Sequence, residues 1–153
     1  MLTLIQSKKS KIMHENVVIK QRVNAPIQKV WNAITDNVQM KEWYFDIADF
    51  KTDLHTEFSF IGSTEENKYQ HYGQILEVIP QEKLKHTWTY PEYSKEKTIV
   101  KWNLQDEGDQ TLVILTHKGL ENLEHLGEDF SKDSFDKAWT KIVSINLKNF
   151  IER

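Results

Sequence analysis

Cysteine is absent from this sequence of 153 residues, and glycine is scarce, with five residues. The absence of cysteine excludes disulfides, thiol nucleophiles and thiolate metal sites, and it favours a reducing, cytoplasmic location. The five glycines lie at least eight residues apart, which excludes the Gly-rich loops that cradle phosphates. A Gly-x-Ser-x-Gly elbow is missing too. The sequence therefore offers no catalytic nucleophile, and neither a catalytic residue nor a cofactor is predicted.

Long apolar runs and clustered metal ligands are also missing. No stretch approaches the about 20 apolar residues that span a bilayer, and the start, MLTLIQSKKSKIM, lacks the charge-first order of a secretory signal. The six histidines show neither i, i+4 pairs nor a zinc-ligand signature, so no metal is predicted. The net charge is -3, and without the three lysines of the tail it is -6 over residues 14–153. We expect neither membrane insertion nor nucleic-acid binding.

One domain accounts for the length, since 153 residues without repeats or linkers is an ordinary domain size. Residues 1–13 carry no periodic pattern, so we expect a disordered tail before a single domain over residues 14–153. Within that domain, residues 16–23 are rich in β-branched side chains, which predicts a strand. Asn-Ala-Pro follows, with Pro26 suited to the first position of a helix, and a second short helix is predicted over residues 37–43.

Short segments separated by turn signals follow, and they predict a run of strands. Their short connections favour antiparallel neighbours. In the third of these strands, Ile75 and Ile79 compete with Leu76 and Val78 for the inner face, so its register stays open. The predicted strands are 48–51, 56–62, 69–79, 83–91, 97–105 and 110–118.

Pairing across two turns indicates which side chains face inward. If DEGD closes a hairpin with Gln105 opposite Gln110, the side that carries Trp102 is the more apolar one, and we assign it to the inner face. The pairs are then Trp102 with Val113, Val100 with Leu115, and Thr98 with His117. The same reasoning across PEYSKE pairs Trp88 with Trp102, His86 with Leu104, and Tyr90 with Val100. Two tryptophans would lie side by side.

The chain ends in a predicted helix over residues 132–152, which at the usual rise is about 30 Å long. With 100° per residue, its apolar side chains form one stripe with Asn146 at the centre. A long helix with such a stripe should lie across the apolar face of a sheet. The stripe contains Phe135, Ala138, Trp139, Ile142, Asn146 and Phe150.

Short motifs and single residues follow one another along the chain in a characteristic order. They comprise Ala25, Pro26, Val30, Trp31, Thr35, Asp36, Trp43, Gly73, Glu77, Pro80, Thr87, Trp88, Thr111, Thr116, His117, Gly119, Trp139, Leu147 and Lys148. In order and spacing they resemble the helix-grip fold of the START-like (SRPBCC) superfamily, and within it the family named for the activator of heat-shock protein 90 ATPase. The resemblance implies an α+β fold. A curved antiparallel sheet of about seven strands would wrap around the long C-terminal helix, with two short helices after the first strand.

The resemblance also implies a cavity between sheet and helix that binds a small hydrophobic ligand without catalysis. Two alternatives stay open: a co-chaperone-like protein acting through its surface on a heat-shock protein 90 partner, and a cyclase- or hydrolase-like enzyme using the cavity. His86, His117 and Asn146, with Tyr90 nearby, are satisfied core groups, groups that orient the ligand's polar end, or a catalytic acid or base. The acidic segment 121–136 either covers the cavity mouth or is an ordinary surface connection. The candidate ligand contacts are Trp31, Trp43, His86, Trp88, Tyr90, Val100, Trp102, Val113, Leu115, His117, Trp139, Ile142 and Asn146.

Overall fold

One antiparallel sheet of six strands dominates the computed structural model, which describes residues 16–63 and 68–153. The strands are β1 (Val17–Val23), β2 (Glu57–Ser63), β3 (Lys68–Ile79), β4 (Lys83–Trp88), β5 (Thr98–Glu107) and β6 (Gln110–Lys118). Their order in the sheet is β1-β6-β5-β4-β3-β2, so only β1 pairs with a strand distant in sequence. The tail predicted to be disordered, residues 1–13, lies outside the described residues.

The helix-grip prediction is confirmed, with six strands in place of about seven. The difference is the predicted strand at 48–51, which is wrong because this segment contains a turn. The backbone N–H of Phe50 donates to the carbonyl of Ile47 at 3.1 Å, and both side chains are buried. This apolar pair, three residues apart, thus anchors a loop to the core. In a strand, residues three apart would point to opposite faces of the sheet, and only one of them would face the core.

Two short helices, α1 (Ile27–Thr35) and α2 (Asn37–Trp43), follow β1. Pro26 occupies the N-cap position of α1, one residue before the first helical position predicted for it, and its missing N–H costs nothing there either. Asp36 separates the two helices, because its carboxylate accepts from the N–H of Val38 at 3.0 Å and caps α2. Helix α1 packs against β5, β6 and the last turn of the chain. The pair therefore covers one end of the sheet.

The C-terminal helix, α3, confirms the prediction of a long helix but not its predicted stripe. Its middle part, Lys141–Leu147, is π-helical and lies between the α-helical parts Lys132–Thr140 and Lys148–Ile151. Because a π-helical turn closes over more residues than an α-helical turn, the helix departs from 100° per residue. Asn146 consequently leaves the centre of the buried stripe. The buried side chains are Phe135, Trp139, Val143, Leu147 and Ile151.

The register between β5 and β6 differs from the predicted one, although the inward faces agree. The two strands pair out to Glu107 and Gln110, so every predicted pair shifts by two residues. A tight turn at Gly108, with a φ of 81°, permits this hairpin. An even shift keeps the same side chains on the core face. The observed pairs are Val100 with His117, Trp102 with Leu115, and Leu104 with Val113.

Trp88 and Trp102 are not cross-strand neighbours, contrary to the prediction. Trp88 lies opposite Thr98, and Trp102 lies opposite Leu84. Strand β4 ends at Trp88, so the connection to β5 is longer than PEYSKE alone. Trp139 of α3 lies between the two tryptophans, with ring centroids 5.1 Å from Trp88 and 6.0 Å from Trp102. The two tryptophans of the sheet are therefore joined by contacts with Trp139 of the helix.

A β-bulge explains why the register of β3 stayed open. Its pairing with β4 shifts between Ile75 and Glu77. Ile75 is fully buried before the bulge, and Val78 packs against the core after it. Ile79 is 37% exposed. Each of the two competing patterns is thus partly realised, one on each side of the extra residue.

Candidate ligand-binding site

A cavity of about 120 Å³ lies between the sheet and α3. Its walls come from β2 and β3, the end of β4, the loop after α2, the segment before α3, and the first half of α3. Ala138 lines the cavity and is also exposed, so the cavity opens to solvent beside this position. The lining residues are Phe45, Gly62, Tyr69, His71, Trp88, Tyr90, Asp129, Phe130, Ser134, Phe135, Ala138, Trp139 and Ile142.

Aromatic side chains form most of this lining. The indole Nε1 of Trp88 donates to the hydroxyl of Tyr90 at 2.9 Å, which orients both rings. Phe130 meets Tyr90 and Tyr69 edge to face, with ring centroids 4.9 and 5.0 Å apart. Such pairs are favourable beyond the burial of their area. The walls are therefore held in fixed orientations by contacts among themselves.

The acidic connection before α3 borders the mouth of the cavity. It forms three short 3₁₀ turns, Leu120–Asn122, Glu124–Leu126 and Glu128–Phe130. The hydroxyl of Tyr69 donates to Asp129 Oδ2 at 2.6 Å, which joins the last of these turns to β3. Asp129 and Phe130 of this segment thus line the cavity, and a cover over its mouth stays a prediction.

His71 presents a neutral imidazole to the cavity. Its Nδ1 lies 2.9 Å from the carbonyl oxygen of Tyr69, which assigns the proton to Nδ1 and leaves Nε2 as an acceptor. Burial lowers the pKa of His71 to about 4, and the bond to the carbonyl only partly opposes this. Gly62 passes close over the ring, because a Cβ at this position would lie 2.6 Å from His71 Cε1. A side chain at Gly62 would displace the imidazole.

His117 belongs to a continuous series of hydrogen bonds in the core. Trp139 Nε1 donates to His117 Nδ1 at 3.0 Å, so Nε2 carries the proton and donates to Thr98 Oγ1 at 2.8 Å. The Thr98 hydroxyl donates in turn to the carbonyl of Trp88 at 2.6 Å. Burial, followed by the neighbouring histidines, lowers the pKa of His117 to about 3. Both ring nitrogens are paired, which matches the structural alternative for this residue.

A second cavity, of about 10 Å³, lies between the two short helices and the sheet. His86 lines it and donates from Nδ1 to the carbonyl of Thr87 at 2.8 Å, while burial lowers the pKa of His86 to about 4. Tyr44 lines it too, and its buried hydroxyl has no hydrogen-bond partner within the described part of the chain. Space of this size accommodates about one water molecule, so we do not treat it as a ligand site.

The predicted contact residues are divided among four places. Trp88, Tyr90, Trp139 and Ile142 line the larger cavity together. The smaller cavity is lined by Trp43, His86 and Trp102. Asn146 lies in a surface groove that also contains Trp43 and Arg153, so the helix does not bring it to the larger cavity. The packed core contains the others: Trp31, Val100, Val113, Leu115 and His117. Contact with a ligand stays a prediction for all of them.

Several lining residues escaped the sequence analysis. Phe45 lies in an irregular loop, where no periodic pattern marks it. His71 lies on β3, whose register the sequence left open. Phe130 belongs to a segment of short 3₁₀ turns, and only its apolar character within an acidic stretch could have singled it out.

Residues 16–63 and 68–153 show neither a cluster of metal ligands nor a membrane-spanning helix. They contain no group of three or more histidine, aspartate or glutamate side chains that could hold a metal ion. None of their helices combines the length and the apolar character needed to cross a bilayer. The polar groups at the larger cavity are the His71 imidazole, the Tyr90 and Ser134 hydroxyls, and the Tyr69–Asp129 pair. These groups can orient a ligand by hydrogen bonding.

A curved sheet that grips a long C-terminal helix defines a START-like, helix-grip protein. The family model described as Activator of Hsp90 ATPase homolog 1-like protein matches residues 24–152, and the chain belongs to this family. The family is associated with hydrophobic ligand binding or with Hsp90 interaction. No curated protein matches the sequence.

Solved structures share this fold. CalU16 from Micromonospora echinospora is 26% identical, with a TM-score of 0.68, and the alignment covers 90% of this chain and 76% of that one. MLL2253 from Mesorhizobium loti is 19% identical, with a TM-score of 0.75 and coverage of 91% and 98%. The Aha1 dimer from Colwellia psychrerythraea is 20% identical, with a TM-score of 0.69 and coverage of 90% and 96%. At such identities the likeness concerns the fold.

Proposed function

We propose that this protein binds a small hydrophobic molecule in the larger cavity without transforming it. The observation that carries the proposal is the aromatic lining of a space that opens beside Ala138. An apolar cavity of about 150 Å³ takes up benzene, and the cavity here measures about 120 Å³. The two volumes are similar, so the cavity suits a ligand of about one ring.

The alternative functions receive less support from this site. His71 has a pKa of about 4, which makes it a weak base for catalysis at neutral pH. The Asp129 carboxylate, another group at the cavity that could act as a base, already accepts a hydrogen bond from Tyr69. Action on a heat-shock protein 90 partner rests on family membership alone. A cytoplasmic location stays a prediction.

Titration with toluene, followed by tryptophan fluorescence and amide NMR, tests the proposal. Trp88 and Trp139 line the cavity, so a bound ring should change their emission saturably. The substitution Ala138→Phe should block the opening and abolish binding, and the exposed position should tolerate it. Asn146→Leu is the matched control, because Asn146 lies on the same helix but in the outer groove. The proposal fails if neither toluene nor any other single-ring aromatic probe produces a saturable change, or if Ala138→Phe binds the probes as well as the unaltered protein does.

A further inference from the structure

We propose that the ligand is a small, neutral aromatic molecule of the phenol class and that Tyr90 and His71 together hold its hydroxyl group. This inference rests on the proposed function and adds polar specificity to it. Both side chains line the larger cavity, and their ring centroids are 4.7 Å apart. The hydroxyl and the imidazole that we assign to the ligand therefore belong to neighbouring side chains of one lining.

Tyr90 supplies a hydrogen-bond donor. Trp88 Nε1 donates to the Tyr90 oxygen at 2.9 Å, which occupies one lone pair and leaves the Tyr90 proton free to be donated elsewhere. Within the described residues, no group accepts this proton. Burial raises the pKa of Tyr90, so the hydroxyl stays protonated at neutral pH. A buried donor of this kind gains from a ligand acceptor.

His71 supplies the complementary acceptor. Because Nδ1 donates to the carbonyl of Tyr69, Nε2 has a lone pair and no proton. No donor to Nε2 occurs among residues 16–63 and 68–153, and Nε2 is not sealed off in the core, because the Tyr44 hydroxyl is the one buried side-chain polar atom without a partner in that part of the chain. Phe60 stacks on the imidazole with ring centroids 4.6 Å apart, and Gly62 lies close to it. This packing keeps the ring from turning toward another partner.

A hydroxyl group satisfies both side chains at once, since it donates one proton and accepts at its oxygen. An ether, ketone or carboxylate oxygen can accept from Tyr90 but has no proton for His71. An ammonium group has protons but no lone pair for Tyr90. The aromatic side chains of Trp88 and Phe130 favour an aromatic ring as the remainder of the ligand.

Charge and size restrict the ligand further. An anion would lose its hydration among the aromatic side chains that line the cavity, and this loss is costly unless a positive charge compensates it. The neutral imidazole of His71 offers no compensating positive charge. The volume of about 120 Å³, close to that of a cavity that takes up benzene, suits a ligand with a single ring. A neutral phenol meets these conditions, whereas benzoate does not.

Three probes of similar shape separate the polar contribution from the apolar one: p-cresol, 4-methylanisole and toluene. Their dissociation constants are measured by NMR titration of the full chain at neutral pH. With two hydrogen bonds of ordinary strength, p-cresol should bind about ten-fold more tightly than toluene. The ether 4-methylanisole can only accept, so its affinity should lie between the two.

Two variants assign the bonds to residues. His71→Phe should reduce the affinity for p-cresol to that for 4-methylanisole, because the acceptor for the ligand proton is lost. Tyr90→Phe should weaken both oxygen-containing probes and leave toluene unchanged. Melting curves check that each variant is folded. Since His71 is tightly packed, a measurement on the unaltered chain accompanies them: the Nε2 nitrogen resonance of His71 should shift with p-cresol and not with toluene.

The outcomes separate this inference from the function on which it rests. If p-cresol and toluene bind equally well, recognition of a hydroxyl is wrong and apolar binding stands. If none of the three probes binds, both proposals are wrong. Tighter binding of benzoate or tetramethylammonium than of p-cresol would overturn the requirement for a neutral ligand and with it this inference.

Discussion

Lowering the pH from about 7 to about 5 should destabilise this protein strongly, because three buried histidines are held neutral in the folded state. Burial lowers the pKa values of His71 and His86 from 6.5 to about 4 and that of His117 to about 3. Between these values and 6.5 the unfolded chain binds more protons than the folded one, so stability rises with pH. Well above the unfolded pKa of 6.5 a histidine costs no free energy of unfolding. As the pH falls from 6.5 toward the folded pKa, each histidine lowers the free energy of unfolding further.

The size of the effect follows from the same pKa values. At pH 5, linkage gives a loss of about 2 kcal/mol for each histidine, or about 6 kcal/mol for three that titrate independently. A typical domain has about 5–15 kcal/mol of stability in total. The limiting slope, with three protons taken up on unfolding, is about 4 kcal/mol per pH unit. Acid unfolding should therefore begin near pH 5, before most carboxylates are protonated.

Urea unfolding followed by circular dichroism at several pH values between about 5 and 7.5 measures this slope. His71→Phe should reduce the slope by about a third, because one proton fewer is taken up. His125→Gln serves as the matched control, since His125 is exposed, and it should leave the slope unchanged. A free energy of unfolding that stays constant from pH 7 to pH 5 would refute the reasoning.

Three substitutions test the packing around the site. Thr98→Val removes the hydroxyl that joins His117 to the next strand, and urea unfolding should show a loss of about 2–4 kcal/mol; unchanged stability would contradict this series of hydrogen bonds. Gly73→Ala places a Cβ 2.4 Å from Phe58 Cζ, so the melting temperature should fall by about 5 °C or more, and an unaltered melting curve would speak against the close approach. Tyr44→Phe removes a buried hydroxyl without a described partner and should leave the stability equal or raise it by about 1 kcal/mol. A marked loss of stability there would show that the hydroxyl is bonded.

The sequence by itself determined the elements whose pattern is local. The first strand, the two short helices and the long C-terminal helix follow from side-chain periodicity and from the turn residues between them, which act over a few positions. The inward faces of β4, β5 and β6 follow from alternation, even where the register was displaced. This is why Trp88, Tyr90, Trp139 and Ile142 could be named as cavity residues in advance.

Only the tertiary structure decided the strand registers, the phase of the C-terminal helix and the location of the cavity. The bulge after Ile75 depends on pairing with β4, and the π-helical turns at 141–147 depend on packing against the sheet, so neither has a local pattern in the sequence. Those turns move Asn146 to the outer groove. The cavity itself is the space left unfilled where β3, Phe45, Phe130 and α3 meet. Segments far apart in the chain together define that space, and close packing of the whole molecule sets its volume and its polar groups.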